Sequence, residues 1–157
     1  MTTEKPGCRL TEKFGTAGTK GVQGELWLKN ILEQNYDECI YLPNDEFFQK
    51  RGIDFRIKKA HWRRYYQLDC KHNLDDRGNF YVEVYKEKGL PAWFLTSQSD
   101  RMYHINVEHE FLYYYDLPQM RKRIETLQYK PNEKGLLRLN VKDANISDLL
   151  MKEKGAN

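Results

Sequence analysis

Apolar residues recur along this chain with two different periods. Over residues 20–34, Leu28 and Leu32 stand four apart, as do Trp27 and Ile31. That spacing aligns side chains on one face of a helix, so a helix is expected there. Glu25 falls between Val22 on one side and Leu28 and Leu32 on the other, an acid on the face that should be buried. From Gly52 the period shortens to two. Ile53, Phe55 and Ile57 alternate with Asp54, Arg56 and Lys58, as in a half-buried strand. Residues 62–71 alternate again, with Trp62, Tyr66, Leu68 and Cys70 on one face and Tyr65, Gln67, Asp69 and Lys71 on the other. The short connection at Lys59-Ala60-His61 predicts an antiparallel hairpin.

Residues 39–42, closed by Pro43-Asn44-Asp45, read as a further strand, as do 80–85, 92–96, 102–107 and 136–141. Residues 116–128 read as a helix, with Pro118 in the first turn and an apolar stripe of Met120, Ile124 and Leu127. Helix, several strands, then helix is the order of an α+β domain built on one central sheet. Residues 1–19, rich in Gly, Thr and Lys and without an apolar period, read as a flexible lead-in. Residues 20–141 read as the folded domain and 142–157 as a weakly patterned tail.

A chain of 157 residues is the size of one domain. Its 13% aromatic content excludes wholesale disorder. No apolar run approaches the ~18–20 residues that span a bilayer, and residues 1–6 lack the apolar stretch of a signal peptide. A cytoplasmic protein without a membrane partner is expected. Cys8, Cys39 and Cys70 are odd in number, far apart and without a CxxC pair, which argues against a disulfide framework and a cysteine zinc site.

The net charge of +3 is modest, but it is unevenly spread. Residues 50–64 hold Lys50, Arg51, Arg56, Lys58, Lys59, Arg63 and Arg64 against Asp54 alone, a local +6 that leaves the rest of the chain at −3. The hairpin therefore carries the charge, with Trp62, Tyr65 and Tyr66 interleaved. That combination suits contact with a phosphate backbone, although Trp62 and Tyr66 read as core. Arg121-Lys122-Arg123 reads as a solvated helix face.

The candidate chemistry lies on the same hairpin. Asp69 and Lys71, two apart on a strand, point the same way. Asp54 lies on the polar face of the partner strand, and Glu25 joins them if its helix packs on the sheet. Converging carboxylates repel, and their burial is costly without a cation. A hard divalent ion with oxygen ligands supplies one, and a lysine beside it can hold a water or a phosphate oxygen. Together they form a device for phosphodiester cleavage by metal-activated water. Asp69-Cys70-Lys71 is the only Asp/Glu-x-Lys in the chain; the spacing is weak alone and takes its weight from its flanks. Glu83 reads as a solvent-face strand residue rather than an extra ligand. His61, His72, His104 and His109 show no paired metal spacing. His72, next to Lys71, reads as a surface residue, and His104 and His109 as structural.

In order and type, Gly18-Thr19-Lys20-Gly21, Glu25, Gly52-Ile53-Asp54 and Gln67-Leu68-Asp69-Cys70-Lys71 resemble the PD-(D/E)XK nuclease superfamily. Their order is similar to that of archaeal Holliday-junction resolvases and of small phage-type relatives. Trp93 and Ser97-Gln98-Ser99-Asp100 resemble the segment that follows the core in the phage-type members. The likeness covers about residues 18–107; Ile53 stands where the family often has Pro. It implies a restriction-endonuclease-like αβββαβ core, with a mixed sheet flanked by helices, and a Mg²⁺- or Mn²⁺-dependent deoxyribonuclease, endonuclease favoured over exonuclease. By the same resemblance Asp54, Asp69 and the main-chain carbonyl of Cys70 are metal ligands, Glu25 is a ligand directly or through water, and Lys71 orients or activates the attacking water. DNA is the implied partner, with RNA and a homodimer left open, in DNA processing, recombination or defence. Lys58, Lys59, Arg63, Arg64 and Lys20 are the candidate nucleic-acid contacts. Two other readings stand beside it: a non-catalytic nucleic-acid-binding or regulatory protein on the same scaffold, and an interaction module on an unrelated α+β fold.

Overall fold

Leu28, Ile31 and Leu32, three and four apart, form the buried stripe of helix α1 (Thr11–Asn35), as the spacing predicts. The structure, a computed structural model, describes residues 11–157, with side chains from residue 21 onward. The elements after α1 are β1 (Glu38–Tyr41), the one-turn α2 (Glu46–Gln49), β2 (Phe55–Lys58), β3 (Tyr66–Lys71) and β4 (Asn79–Glu83). Then come the one-turn α3 (Trp93–Thr96), β5 (Arg101–Asn106), β6 (Phe111–Asp116), α4 (Leu117–Leu127) and β7 (Leu136–Asn140).

Five strands form a mixed sheet in the order β1-β2-β3-β5-β6. β3 and β5 run parallel, and the other neighbours are antiparallel. The crossover between the parallel pair contains β4 and α3, so the second helix of the implied αβββαβ order is here a single turn. Phe55, Ile57, Leu68 and Cys70 alternate toward α1 and bury with its stripe, joined by Tyr103, Ile105, Leu112 and Tyr114. Each such side chain contributes roughly 1.5–3 kcal/mol on burial. The opposite face packs through Met102 and Tyr115 against Phe80, Val82, Leu137 and Leu139 and against Leu117, Met120 and Ile124 of α4. The fold is thus α+β, a mixed central sheet between two layers.

Several expectations need correction. β4 does not join the central sheet; it pairs with β7 as a separate antiparallel ribbon. Residues 92–96 are not a strand, because the amides of Thr96 and Ser97 bond back to the carbonyls of Ala92 and Trp93, closing a helical turn that buries Phe94. β6 was not anticipated, because Phe-Leu-Tyr-Tyr-Tyr is aromatic on both faces and shows no alternation. Helix α1 starts at Thr11, inside the stretch expected to be a lead-in; residues 1–10, with Cys8, lie outside the described residues. Helix α4 agrees with its reading: the Asp116 carboxylate accepts from the Gln119 amide at its start, and Gln128 closes it in a left-handed conformation.

The tail is not a loose end. Met151 exchanges both backbone hydrogen bonds with Tyr114, extending the sheet edge beyond β6. Glu153 is buried and accepts from the hydroxyls of Tyr36 and Tyr103, while the Arg101 guanidinium donates to the Tyr36 oxygen at 3.1 Å. No helix among the described residues is long and apolar enough to cross a membrane.

Glu153→Ala leaves the buried Tyr103 hydroxyl and the half-buried Tyr36 hydroxyl without their acceptor and should cost about 2–4 kcal/mol of stability in urea unfolding. Lys152→Ala, an exposed neighbour, should change stability by less than about 0.5 kcal/mol. Equal effects would show that the tail does not clamp the fold.

Candidate active site

Asp54 stands at the entry to β2. Its amide donates to the Leu68 carbonyl at 2.8 Å, and its carbonyl accepts from the Leu42 amide at 2.9 Å. Its backbone is therefore held from both neighbouring strands before its side chain does anything. The carboxylate then accepts from the Cys70 amide through Oδ2 at 2.9 Å and from the Gln49 side chain through Oδ1 at 3.3 Å. Asp69, on β3, is 2% exposed, and it lies between Leu68 and Cys70, the two residues that bond Asp54, close enough for the two charges to interact. Asp69 Oδ1 is 3.5 Å from Lys71 Nζ, and its buried Oδ2 has no hydrogen-bond partner. Lys71 Nζ in turn sits 4.6 Å from the Trp93 ring centre.

Glu25 approaches from α1. Its Oε1 accepts from the Tyr41 hydroxyl at 2.6 Å, and its Oε2 is 3.7 Å from His72 Nε2. The His72 ring lies against Gly24, where a β-carbon would come within 2.5 Å of the imidazole. Glycine there lets the ring lie beside Glu25, so His72 belongs to the surroundings of the site. A glycine within a helical pattern is the available signal of close approach.

The electrostatics follow from burial. The Asp69 carboxyl is pushed well above the ordinary carboxylate range, first by desolvation and then by the Asp54 charge, with Lys71 pulling it back. Asp54 is raised as well, by burial and by Glu25, against the pull of the Cys70 amide and Lys71. Two carboxyl groups in contact cannot both ionise without a compensating charge. A proton shared between them, or a cation in its place, relieves that repulsion and gives the orphaned oxygen a partner.

Which of the two the residues suit is a question of donor type. Both acids offer hard oxygen ligands, the kind Mg²⁺ and Mn²⁺ take. Among the described residues, no group of three or more His, Cys, Asp and Glu side chains stands assembled to hold a metal ion. Asp54 and Asp69 meet, whereas Glu25 is engaged by Tyr41.

Behind the acids the packing is tight. Gly52 has φ +72°, and a β-carbon on it would lie 2.8 Å from Ser97 Oγ and 3.3 Å from Asp69 Oδ2. Ser97 donates to the Gly52 carbonyl at 3.1 Å, and its hydroxyl also pairs with Ser99 at 2.9 Å. Arg121 of α4 donates to the carbonyls of Phe94 and Ser97, both at 2.6 Å, so it braces this loop instead of forming a solvated patch. Arg123 pairs with Asp148, and Lys122 is exposed. His104, next to Lys71 on the neighbouring strand, is fully buried. Asn73 Nδ2 donates to the Tyr81 carbonyl, leaving Asn73 Oδ1 to accept from His104 Nδ1, and the Tyr115 hydroxyl bonds His104 Nε2. Burial, and then the Lys71 charge, lowers the imidazole pKa to about 3. A neutral structural histidine results, as expected.

The expected phosphate contacts divide. Arg63 is exposed. Lys58 and Lys59 rest over the rings of Tyr65 and Tyr36 at 5.7 and 5.6 Å. Arg64 makes a two-pronged ion pair with Asp100 at 3.0 and 3.1 Å, so its charge is largely committed. Asp100 also accepts from the Gln67 amide, tying the loop after α3 to β3. The side chain of Lys20 lies outside the described residues. Glu83 lies on the ribbon, lining a groove with Lys86 and Lys134. Trp62 and Tyr66 pack against the α1-side core, as expected. Cys70 is buried, its thiol pushed well up by desolvation and the surrounding acids.

Comparison with protein families, with curated proteins and with solved structures finds no match to this chain.

Two substitutions check this geometry. Gly52→Ala should destabilise the fold by about 1–3 kcal/mol, since the positive φ and the Ser97 hydroxyl both oppose a side chain; an unchanged urea midpoint would contradict the packing. For Asp69 the folded-state pKa lies above the unfolded value of about 4. The folded protein therefore holds a proton that the unfolded chain has released, and the metal-free fold loses stability as pH rises from there into the raised range. Asp69→Asn should remove that loss, so variant minus wild-type stability should grow with pH, by at most about 1.4 kcal/mol per unit. A pH-independent difference would show that Asp69 is not protonated in the fold.

Proposed function

We propose that this chain is a metal-dependent nuclease that hydrolyses phosphodiester bonds in DNA, of the PD-(D/E)XK type it resembles. The observation that carries the reading is that Asp54 is bonded to Leu68 and Cys70 on either side of Asp69, with an unpartnered buried oxygen on Asp69 and the Lys71 ammonium 3.5 Å from its other oxygen. A cation compensates the same repulsion that a shared proton does, so a hard divalent ion can displace that proton, and Lys71 is close enough to orient a water or a phosphate oxygen. Asp54 and Asp69 would hold Mg²⁺ or Mn²⁺, with the Cys70 carbonyl as a third oxygen and Glu25 reached through water. Such an ion supplies an acidified water and stabilises charge on the phosphorane oxygens. Asp54 is positioned by the Cys70 amide and by Gln49, and Lys71 by Asp69 and the Trp93 ring. The cationic hairpin attracts the polyanion.

A second reading, nucleic-acid binding without cleavage, is favoured by one observation. Glu25 is bound to Tyr41, and no three-carboxylate cluster is assembled among the described residues.

The test is a cleavage panel of branched, duplex and single-stranded DNA and of RNA with Mg²⁺ or Mn²⁺. Wild type should cut DNA in a metal-dependent way. Lys71→Ala and Asp69→Ala should each lower the rate by about 100-fold or more. Asp69→Ala should bind the substrate at least as well as wild type, because an acid facing phosphate is removed. Binding without any cleavage at any metal would favour the second reading.

A further inference from the structure

Rings and cations alternate in a row that begins beside the candidate site. The Arg51 guanidinium stacks 3.7 Å over the Phe47 ring. Phe47 meets Phe48 edge-on at 5.1 Å. Arg56 lies between the rings of Phe48, at 5.2 Å, and Tyr65, at 4.5 Å, and Lys58 sits 5.7 Å over Tyr65. Gln49, in the same helical turn as Phe47 and Phe48, reaches Asp54 Oδ1, which fixes one end of the row at the acids.

Two features separate this row from an ordinary surface. Phe47 is 57% exposed; its ring is held by Arg51 and Phe48 but is not used by the core. Among the described residues, Arg51, Arg56 and Lys58 form no ion pair, whereas the neighbouring cations Lys50 and Arg64 are paired with Glu46 and Asp100. Glu38 accepts from the Tyr65 hydroxyl at the end remote from Asp54, and Glu46 of α2 is taken up by Lys50. Unpaired cations interleaved with aromatic rings match a ligand that carries regular negative charge and flat apolar faces together. A duplex presents its phosphates but hides its base faces in the stack. An unpaired strand presents both.

We propose that α2 and the polar side of the β2–β3 hairpin form a binding track for an unpaired nucleic-acid strand. A base stacks on Phe47, and phosphates lie along Arg51, Arg56 and Lys58. Resting on the nuclease reading, this narrows its substrate to nucleic acid with a single-stranded segment beside the scissile bond.

The test is fluorescence anisotropy on the full chain without metal, using labelled oligothymidylate of about 20 nucleotides and a blunt duplex of the same length. Phe47→Ala should weaken single-strand binding about five-fold or more while changing duplex binding less than about two-fold. Phe47→Leu, which keeps the apolar bulk but removes the π face, should behave like Phe47→Ala, and Phe47→Trp should bind as well as wild type. Arg56→Gln should weaken both ligands and lower the salt dependence by about one counterion. Thermal melts establish that each variant folds, which the exposure of Phe47 favours. Unchanged single-strand affinity in Phe47→Ala, an equal loss on the duplex, or wild-type binding by Phe47→Leu would each overturn the track. The binding assay contains no metal, so a failure of the cleavage reading leaves it intact. Metal-dependent cleavage with a Phe47→Ala chain that binds like wild type removes the track alone.

Discussion

Two carboxyl groups in contact, one of them buried, repel whenever both are ionised, and the placement of Asp54 and Asp69 is organised around that repulsion. Neither acid is free to move away. Asp54 is clamped through its own amide and carbonyl by the flanking strands, and its side chain is held by the Cys70 amide. Asp69 is fixed by its position on β3 within a closed core. The sheet holds the two together, and water is too scarce around Asp69 to screen them. A partial remedy is built in: Lys71 stands on one side of the pair, and the Cys70 N–H dipole acts on the other.

The surroundings are consistent with that constraint. Gly52 has no side chain where one would displace Ser97 or press on Asp69. Arg121 holds the loop carrying Ser97 from outside, through carbonyls instead of carboxylates, so its charge does not neutralise the acids. His104 stays neutral in a chain of uncharged partners and adds no second cation beside Lys71. The elements that position the acids are rigid parts of the sheet, whereas the rings and cations of the proposed track lie on the short α2 turn and the hairpin at its margin.

Much of this was legible in the sequence, for a physical reason. Alternation with period two assigns faces, so the placement of Phe55, Ile57, Leu68 and Cys70 in one core, and of Asp69 and Lys71 away from it, followed directly. The i, i+4 stripe of α1 brought Glu25 onto the sheet. What was not legible depended on contacts far apart in the chain. Nothing near Glu25 pointed to Tyr41 as its partner, and nothing in residues 142–157 announced that Glu153 would bury against Tyr36 and Tyr103. The commitment of Arg64 to Asp100 likewise removed a cation that local charge counting had offered to phosphate. β6 escaped because aromatic residues on both faces erase the period, and the turn at Trp93 escaped because four apolar residues fit a strand or a helix equally well.

The central claim is that Asp54 and Asp69 share one proton in the metal-free protein and give it up to a divalent ion. Calorimetric titration with Mn²⁺ near neutral pH, in two buffers of different ionisation enthalpy, measures this directly. The account requires binding accompanied by release of about one proton per ion, with the release abolished in Asp69→Asn. No binding, or a heat identical in both buffers, would contradict it.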